Sequence, residues 1–317
     1  KQVRGNRCTA KIQARSAFVH GPNHPQHSTR RIVYFSPAVR NHTVSMLTAQ
    51  LFETHDKSRV ELTAFSLGPA TDDQMRKRIE AAFDNFIDVR NKSDQEVAML
   101  AREMQIDIAV DLGGFTDGGR PGIFAMRAAP LQINFLGYPG TTGAGYFDYI
   151  FADATIIPES HTGYYSEKIV YLPSYQPNDT KRIISDKNYT RADFGLPPTS
   201  FVFCCFNNHY KFTPQVFASW MRILQRVEGS VLWLSAGGPE LVANLKREAV
   251  LRGVAGERLI FAERMPLLED HLARHKLADL FLDTLPYNAH ATAIDALWAG
   301  LPLLTCVGTT FAGRVGA

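Results

Sequence analysis

Two short segments of the chain carry residue types suited to binding a nucleotide diphosphate. Residues 206–211, Phe-Asn-Asn-His-Tyr-Lys, follow an apolar strand-like run, and residues 287–295, Tyr-Asn-Ala-His-Ala-Thr-Ala-Ile-Asp, lead into a helical pattern. In α/β proteins the carboxyl ends of strands and the N-termini of helices bind anions through backbone N–H groups. Lys211 would add a mobile positive charge, and a helix that begins near Ala291 would add oriented donors. Together the two segments predict a diphosphate site.

Each of these features also has a purely structural interpretation. A lysine after a strand is usually solvated, and an Asn-Ala-His loop before a helix is usually a cap. Asp295 could interact with the helix N-terminus, or it could accept hydrogen bonds from ribose hydroxyls. His271 and Arg274, three residues apart on one predicted helix, could contact a base or form a solvated face. We favour the nucleotide interpretation for the two segments and for Asp295, because several features of the sequence agree with it. For His271 and Arg274 alone, a solvated helix face is the more common arrangement.

Composition and charge narrow the class of protein. The 317 residues exceed the usual size of one hydrophobic core, and 45% hydrophobic with 21% charged residues is typical of a soluble globular protein. A net charge of +3 gives no reason to expect nucleic acid or a membrane as a partner. The four cysteines include no C-x-x-C pair, and three lie in apolar runs, so we expect buried free thiols in a cytoplasmic protein.

Several common cofactor motifs are missing from the sequence. No G-x-G-x-x-G follows the first predicted strand, and the chain has neither a P-loop nor an Asp-x-Asp that could hold a divalent cation under a diphosphate. We therefore expect a site without a metal or a cofactor. The charge of a departing diphosphate would then be neutralised by Lys211 and by the helix N-terminus.

Short β-rich runs alternate with amphipathic helical patterns along most of the chain, which predicts α/β architecture with mostly parallel sheets. The predicted strands are 31–36, 60–67, 106–112, 132–136, 149–153, 201–206, 231–235, 258–262, 280–283 and 303–306. The predicted helices are 44–54, 73–83, 93–105, 213–227, 239–252, 268–278, 292–299 and 311–317. We expect residues 1–30 to be a disordered or irregular lead-in, 31–172 one lobe, 173–198 a Pro-rich and polar linker, and 199–317 a second lobe with a truncated C-terminal end.

The first lobe contributes weaker candidates. His42 follows the first predicted strand, where it could act as an acid, a base or a hydrogen-bond donor, or could cap the next helix. The Gly-rich runs 113–119 and 137–143 each follow a strand as well. They could allow the backbone to approach a ligand closely, or they could be tight turns.

Seven segments recur, in this order, in a known family: Asn-His at 41–42, Leu-Gly-Tyr-Pro-Gly-Thr at 136–141, Tyr-Ser-Glu-Lys at 165–168, residues 206–211, Ser-Val-Leu-Trp-Leu at 230–234, Leu-Ala-Asp at 277–279 and Asp-Ala-Leu-Trp-Ala-Gly at 295–300. Through them, residues 31–317 resemble the catalytic region of the O-linked N-acetylglucosamine transferases, especially the bacterial members. The resemblance implies a GT-B-type fold, in which two Rossmann-like doubly wound lobes face a cleft. It also implies metal-independent, inverting transfer of a sugar, N-acetylglucosamine, from a UDP-sugar to Ser or Thr hydroxyls of proteins.

The resemblance also implies a role for individual residues. His42 would face the reaction centre and act with Lys211 in catalysis. The diphosphate would be held by Lys211 and Asn208, and the diphosphate and sugar would be lined by His290, Ala291 and Thr292. The ribose would be bound by Asp295, the uracil would be contacted by His271 and Arg274, and the sugar would be bordered by Leu136 and Gly137.

The chain departs from the family pattern at several positions. Ala38 stands where the family commonly has an aspartate considered as a proton acceptor, Ala291 replaces a threonine, and Leu268 replaces a lysine found in some members. The tetratricopeptide repeats that precede the catalytic lobes in the family are not found in residues 1–30. These departures support an alternative, a catalytically silent domain that binds a nucleotide sugar or a protein. A third hypothesis keeps the enzyme but changes the donor sugar or the acceptor, to asparagine.

Overall fold

The computed structural model describes residues 29–317, which divide into two compact units. The first unit ends at Lys181 and the second unit comprises Arg182–Ala317. The boundary between the units falls inside the segment 173–198, where the sequence predicts a linker. The predicted lead-in, 1–30, lies almost wholly outside the described residues.

The first unit contains a seven-stranded sheet in which every pair of neighbouring strands is parallel. Its strands are β1 (Arg30–Ser36), β2 (Val60–Ser66), β3 (Asn85–Asp88), β4 (Ile108–Asp111), β5 (Leu131–Asn134), β6 (Tyr149–Ala152) and β7 (Lys168–Tyr171), in the order β3-β2-β1-β4-β5-β6-β7. Its helices are α1 (Thr43–Glu53), α2 (Gln74–Ala82), α3 (Asp94–Glu103) and α4 (Pro121–Ala125). The strand order reverses direction between β1 and β4, and ligands of doubly wound folds bind beyond the carboxyl ends of the strands at such a point.

Aromatic packing fixes the central strands of this sheet. Phe35 on β1 is fully buried and packs edge-on against Phe65 of β2 and Phe124 of α4, with ring centroids 5.1 and 4.9 Å apart. Edge-on aromatic pairs add about 0.5–1.5 kcal/mol beyond the burial of their area. The loops that leave β1 and β4 are therefore held on a rigid base.

The second unit contains a five-stranded parallel sheet. Its strands are β8 (Val202–Cys205), β9 (Val231–Ser235), β10 (Leu259–Ala262), β11 (Leu280–Leu282) and β12 (Leu303–Leu304), in the order β10-β9-β8-β11-β12. Its helices are α5 (Pro214–Arg226), α6 (Pro239–Leu251), α7 (Leu268–Arg274) and α8 (Ala291–Trp298). Here the strand order reverses between β8 and β11, the strands that the two predicted diphosphate segments follow.

The core of the second unit is built around Trp233 on β9. Its side chain is fully buried, and its ring lies 5.0 Å from that of Phe206 and 5.3 Å from that of Phe194. All three tryptophans of the chain, which also include Trp220 and Trp298, belong to this unit.

Several sequence-based expectations differ from the structure. The strands β3 and β7 and the short helix α4 were not predicted. The helix predicted over 311–317 is wrong, because only Phe311–Gly313 form a single 3-10 turn. The helix predicted over 268–278 ends at Arg274 and continues as a 3-10 turn, His275–Leu277. Cys204 and Cys205 are buried as expected, whereas Cys306 is exposed because β12 ends two residues before it. Within residues 29–317, no helix has the length and apolar character needed to span a membrane.

The carboxyl group of Asp111, the last residue of β4, should make the free energy of unfolding depend on pH. Its buried carboxylate accepts hydrogen bonds from the N–H groups of Gly113 (2.8 Å) and Gly114 (3.1 Å). Burial raises the pKa of Asp111 to about 6 from 3.8, although these hydrogen bonds act in the opposite direction. Because the folded chain then binds this proton more readily than the unfolded chain, Asp111 favours folding more as the pH falls from 7 through 6.

The comparison variant is Asp111→Asn, which cannot titrate. From pH 7 to pH 4.5, the unfolding free energy of the unaltered chain should rise by about 2 kcal/mol relative to that of the variant. Urea unfolding at both pH values measures this difference, and other titrating groups cancel because both proteins carry them. A constant difference would show that Asp111 keeps an ordinary pKa.

Candidate functional site

The loops after β8 and β11 meet in the second unit and bring Lys211 next to the start of α8. Lys211 ends a 3-10 turn, His209–Lys211, whose first backbone groups are capped by Asn208 through a 3.3 Å bond from the Tyr210 N–H. The Lys211 Nζ donates a 2.8 Å hydrogen bond to the carbonyl of Asn288 and lies 4.1 Å from the centre of the Tyr287 ring. The two segments singled out by the sequence are thus joined by direct contacts.

Lys211 is a lysine in an unusual environment. Its side chain is largely buried, and burial lowers the pKa of Lys211 to about 8, while Asp283 acts in the opposite direction. A buried ammonium with only part of its donors satisfied favours the approach of an anion. The alternative interpretation, a solvated lysine, does not describe this side chain.

His290 and Lys211 both contact the ring of Tyr287. Its imidazole stacks on Tyr287 with centroids 4.7 Å apart, and its Nε2 lies 3.1 Å from the carbonyl oxygen of Ala312. A carbonyl only accepts, so Nε2 carries the proton and Nδ1 of the neutral ring is an acceptor. Burial lowers the pKa of His290 to about 4, which keeps the free ring neutral. His290 is the N-cap of α8, but its side chain makes no capping hydrogen bond.

A network of buried polar side chains holds the two loops together. The Thr292 hydroxyl donates to Asn207 Oδ1, and Asn207 Nδ2 donates to Thr284 Oγ1 at 2.8 Å. Asp283 accepts from the N–H of Ala289 at 2.5 Å, immediately before the helix. The proton of the Thr292 hydroxyl is therefore used within the protein, so this residue could donate to a ligand only through its backbone N–H.

Sequence reasoning did not identify these supporting residues. Asn207 adjoins the predicted Asn208, and Asp283 directly follows a strand, which is a position where functional carboxylates are common in α/β folds. Asn288 is fully buried, and its Nδ2 donates to the Thr284 carbonyl at 2.9 Å. Each of these residues lies in the sequence between the end of a strand and a predicted ligand residue, and this position could have identified them.

Asp295, one turn into α8, faces two basic side chains. Arg182 donates through Nη2 to its Oδ1, and Nε2 of His271 lies 3.7 Å from its Oδ2. Burial raises the pKa of Asp295, and Arg182 opposes that effect by charge and by hydrogen bonding. Arg182 is a further residue that the sequence did not indicate.

His271 and Arg274 lie on one face of α7, as their spacing predicted, but that face is not solvated. Arg274 is buried over the Phe206 ring, 4.5 Å from its centre, and donates to the Glu263 carbonyl at 2.6 Å. Its Nη2 lies 2.7 Å from Nδ1 of His271. Arginine only donates, so His271 carries its proton on Nε2, the atom nearer Asp295. Burial lowers the pKa of His271 to about 2, and the nearby His275 adds to this effect.

In the first unit, His42 caps α1. Its Nδ1 accepts a 3.2 Å hydrogen bond from the Val44 N–H, which leaves the proton of the neutral ring on Nε2. Burial lowers the pKa of His42, and Arg40 contributes in the same direction. His42 therefore caps a helix, which was one of the two interpretations of its sequence position. It also lies beyond the end of the first strand, as predicted.

Leu136 and Gly137 begin the loop after β5 in the first unit. Leu136 has a φ of +66°, a left-handed backbone conformation that residues other than glycine adopt rarely. A Cβ at position 137 would lie 2.0 Å from the carbonyl oxygen of Leu112, so only glycine fits there. Glu167 anchors the far end of this loop, accepting from the N–H and the hydroxyl of Thr142, both at 2.8 Å.

The residues that could ligate a metal ion are scattered in the part of the chain that the structure describes. In the described range 29–317, no three His, Cys, Asp or Glu side chains are grouped so that they could hold a metal.

The chain forms two parallel sheets of Rossmann type. In the second sheet, a lysine and the N-terminus of a helix lie where the strand order reverses. These two features together define the class of protein. The chain has the GT-B fold of glycosyltransferases. The Anabaena protein HepE, solved with UDP and glucose, matches 90% of this chain and 86% of its own chain with a TM-score of 0.53; at 12% identity this likeness shows the fold alone.

The family can be given more narrowly. The model of glycosyl transferase family 41 matches residues 2–186 and 178–317, and the chain belongs to this family. An O-GlcNAc transferase from Thermobaculum terrenum, solved as a point mutant, has a TM-score of 0.87 and 31% identity over 98% of this chain and 60% of its own. These matches confirm the resemblance that the sequence motifs indicated.

Curated relatives agree with this assignment. The chain is 37% identical over 291 residues to the Arabidopsis thaliana protein SEC, a probable UDP-N-acetylglucosamine–peptide N-acetylglucosaminyltransferase, covering 90% of this chain and 30% of SEC. It is 25% identical to the Caenorhabditis elegans UDP-N-acetylglucosamine–peptide N-acetylglucosaminyltransferase, covering 90% of this chain and 34% of that protein. The chain therefore spans about a third of the length of these relatives.

Proposed function

We propose that this chain is the catalytic region of an inverting, metal-independent glycosyltransferase that moves N-acetylglucosamine from a UDP-sugar to Ser or Thr hydroxyls of proteins. The observation that carries the proposal is the convergence of Lys211, His290 and the start of α8. A partly satisfied ammonium beside an uncapped helix N-terminus suits a diphosphate. The relatives named for this reaction support the donor and the acceptor.

In this mechanism, the acceptor oxygen forms a bond to the anomeric carbon while the bond from that carbon to the diphosphate oxygen breaks on the opposite side. The acceptor hydroxyl passes its proton to solvent water, and the electron pair of the broken bond stays with the diphosphate. Lys211 donates to the oxygen on which this charge develops, and the N–H groups of Ala291 and Thr292 donate to the neighbouring phosphate oxygens. Stabilisation of this kind grows as the bond breaks, so it lowers the barrier.

The hydrogen bonding of His42 supports one of its possible roles in the proposed reaction. Its Nδ1 is used by the Val44 N–H, so the neutral ring offers Nε2–H, which donates and cannot accept a proton. We therefore assign His42 as a donor to the sugar or to the acceptor, not as the base. His271 with Arg274 would contact the uracil, Asp295 the ribose, and Leu136 with Gly137 the sugar.

The second candidate function is a silent domain that binds a nucleotide sugar without turnover. It is motivated by Ala38, which is buried in the loop that follows β1 and offers no carboxylate. The expectation of a cytoplasmic location, which rests on the buried thiols Cys204 and Cys205, stays a prediction.

One experiment separates these functions. Incubation with UDP-N-acetylglucosamine carrying a labelled sugar, together with Ser- and Thr-containing acceptor peptides, should transfer label to peptide and release UDP in equal amounts. Calorimetric titration should show binding of UDP and at least about tenfold weaker binding of GDP, since the base contacts are specific. Tight binding of UDP without transfer or release of sugar would establish the silent domain, and lack of binding would contradict both functions.

A further inference from the structure

Arg182 is the first residue of the second unit and lies against one face of α8. Its backbone carbonyl accepts a 3.3 Å hydrogen bond from Nε1 of Trp298, and its Nη2 donates to Oδ1 of Asp295. Asp295 and Trp298 are three residues apart and therefore share that face. The arginine is thus fastened to one helix at both its main chain and its guanidinium.

The placement of Arg182 is not explained by stability. Only 4% of its side chain is exposed, and its Nε and Nη1 are buried with no hydrogen-bond partner among the described residues. A buried donor without a partner costs about 1–3 kcal/mol, and a buried ion pair is often no more stable than apolar residues of the same size. The local energetics therefore favour a functional reason for keeping this cation here.

The two oxygens of Asp295 have different surroundings. Oδ1 is held by Arg182, whereas the nearest basic atom to Oδ2 is Nε2 of His271 at 3.7 Å, beyond hydrogen-bonding distance. The Asp295 side chain is 15% exposed, so it can be reached from solvent. An ionised carboxylate with one oxygen fixed and the other available suits a neighbouring pair of hydroxyls, because it can only accept.

We propose that Arg182 is a positioning residue that sets nucleotide specificity, holding one oxygen of Asp295 so that the carboxylate accepts from the ribose hydroxyls of the bound donor. This inference rests on the proposed function. Burial raises the pKa of Asp295, and Arg182 opposes that effect, so Arg182 favours the ionised form of this carboxyl. A protonated Asp295 would present a donor where the ribose hydroxyls need an acceptor.

The test compares the affinities for UDP and for 2′,3′-dideoxy-UDP, which lacks both hydroxyls. Calorimetry on the unaltered protein should give at least about tenfold tighter binding of UDP, the size expected for hydrogen bonds to a charged group. In Arg182→Met this ratio should fall below about threefold, mainly through weaker binding of UDP, while the affinity for the dideoxy nucleotide stays within about twofold. A structural defect would weaken both nucleotides alike.

Two further variants complete the test. Lys187→Met removes another ion pair of this unit, the 2.8 Å bond to Asp270, and should leave the ratio unchanged. Arg182→Lys keeps the charge with a shorter donor, so it should give an intermediate ratio, and it replaces Arg182→Met if that variant does not fold. An unaltered ratio in a folded Arg182 variant, or no preference for UDP in the unaltered protein, would overturn this inference alone. Absence of UDP binding by the unaltered protein would overturn the proposed function, and this inference with it.

Discussion

Replacing Lys211 with methionine should lower kcat/KM for sugar transfer by about hundredfold or more, because it removes the charge that stabilises the departing diphosphate. Methionine keeps the apolar stem that packs near Tyr287, so the second unit should remain folded. Labelled sugar transfer measures the rate, and circular dichroism checks the fold. The control is Lys276→Met, the same loss of charge at an exposed position, which should keep the normal rate.

The same residue predicts a dependence of binding on pH. Burial lowers the pKa of Lys211 to about 8, so the free protein loses this charge as the pH rises through 8. A bound diphosphate favours the charged form, and binding above pH 8 must therefore take up a proton. The dissociation constant for UDP should increase about tenfold between pH 7 and pH 9 in the unaltered protein and stay constant in Lys211→Met. Near-normal transfer by Lys211→Met, or equal pH profiles, would exclude this role.

Replacing Trp233 with alanine should lower the free energy of unfolding of the second unit by about 3–5 kcal/mol. The indole is fully buried and packs against the ring of Phe206. Arg274 in turn lies over that same Phe206 ring. Such a loss is a large part of the stability of an ordinary domain, about 5–15 kcal/mol. Binding of UDP should weaken with it, because the predicted uracil contacts rest on this packing.

The matched control is Trp233→Phe. The indole Nε1 is buried without a hydrogen-bond partner among the described residues, so phenylalanine removes an unsatisfied donor while keeping most of the aromatic contact. We expect this variant to lose less than about 1.5 kcal/mol. Urea unfolding followed by circular dichroism measures both values, and equal losses in the two variants would contradict the packing argument.

Sequence patterns predicted the central strands of both sheets and missed the two outer strands of the first unit. Parallel strands buried on both faces read as continuous apolar runs, as in β1 and β9. The strands β3 and β7 lie at the edges of their sheet, are four residues long and are only partly buried, so their sequences carry little of that signal. The segment 311–317, for which a helix was wrongly predicted, contains two glycines. Its backbone contacts the site instead, because the Ala312 carbonyl accepts a 2.9 Å hydrogen bond from the Asn288 N–H.

The site could be predicted in outline for a topological reason. The carboxyl ends of neighbouring parallel strands meet at one edge of a sheet, so residues after β8 and β11 are close once the strand order is known. The contact between Lys211 and Asn288, 77 positions apart, follows from that rule. The pairing of Arg182 with Asp295 does not, since Arg182 lies in an irregular segment whose course depends on tertiary packing.

The three tryptophans give the second unit its own optical signal. Excitation near the red edge of indole absorption selects tryptophan over tyrosine, and the chain carries no tryptophan before residue 182. Intrinsic fluorescence should therefore follow the unfolding of Arg182–Ala317 alone, while the far-ultraviolet signal follows both units. Trp298 is one of these fluorescent residues and lies within one helical turn of Asp295. Its indole donates a hydrogen bond to the main chain of Arg182. We therefore expect a nucleotide bound at Asp295 to change the emission of Trp298, which would report binding without an attached dye.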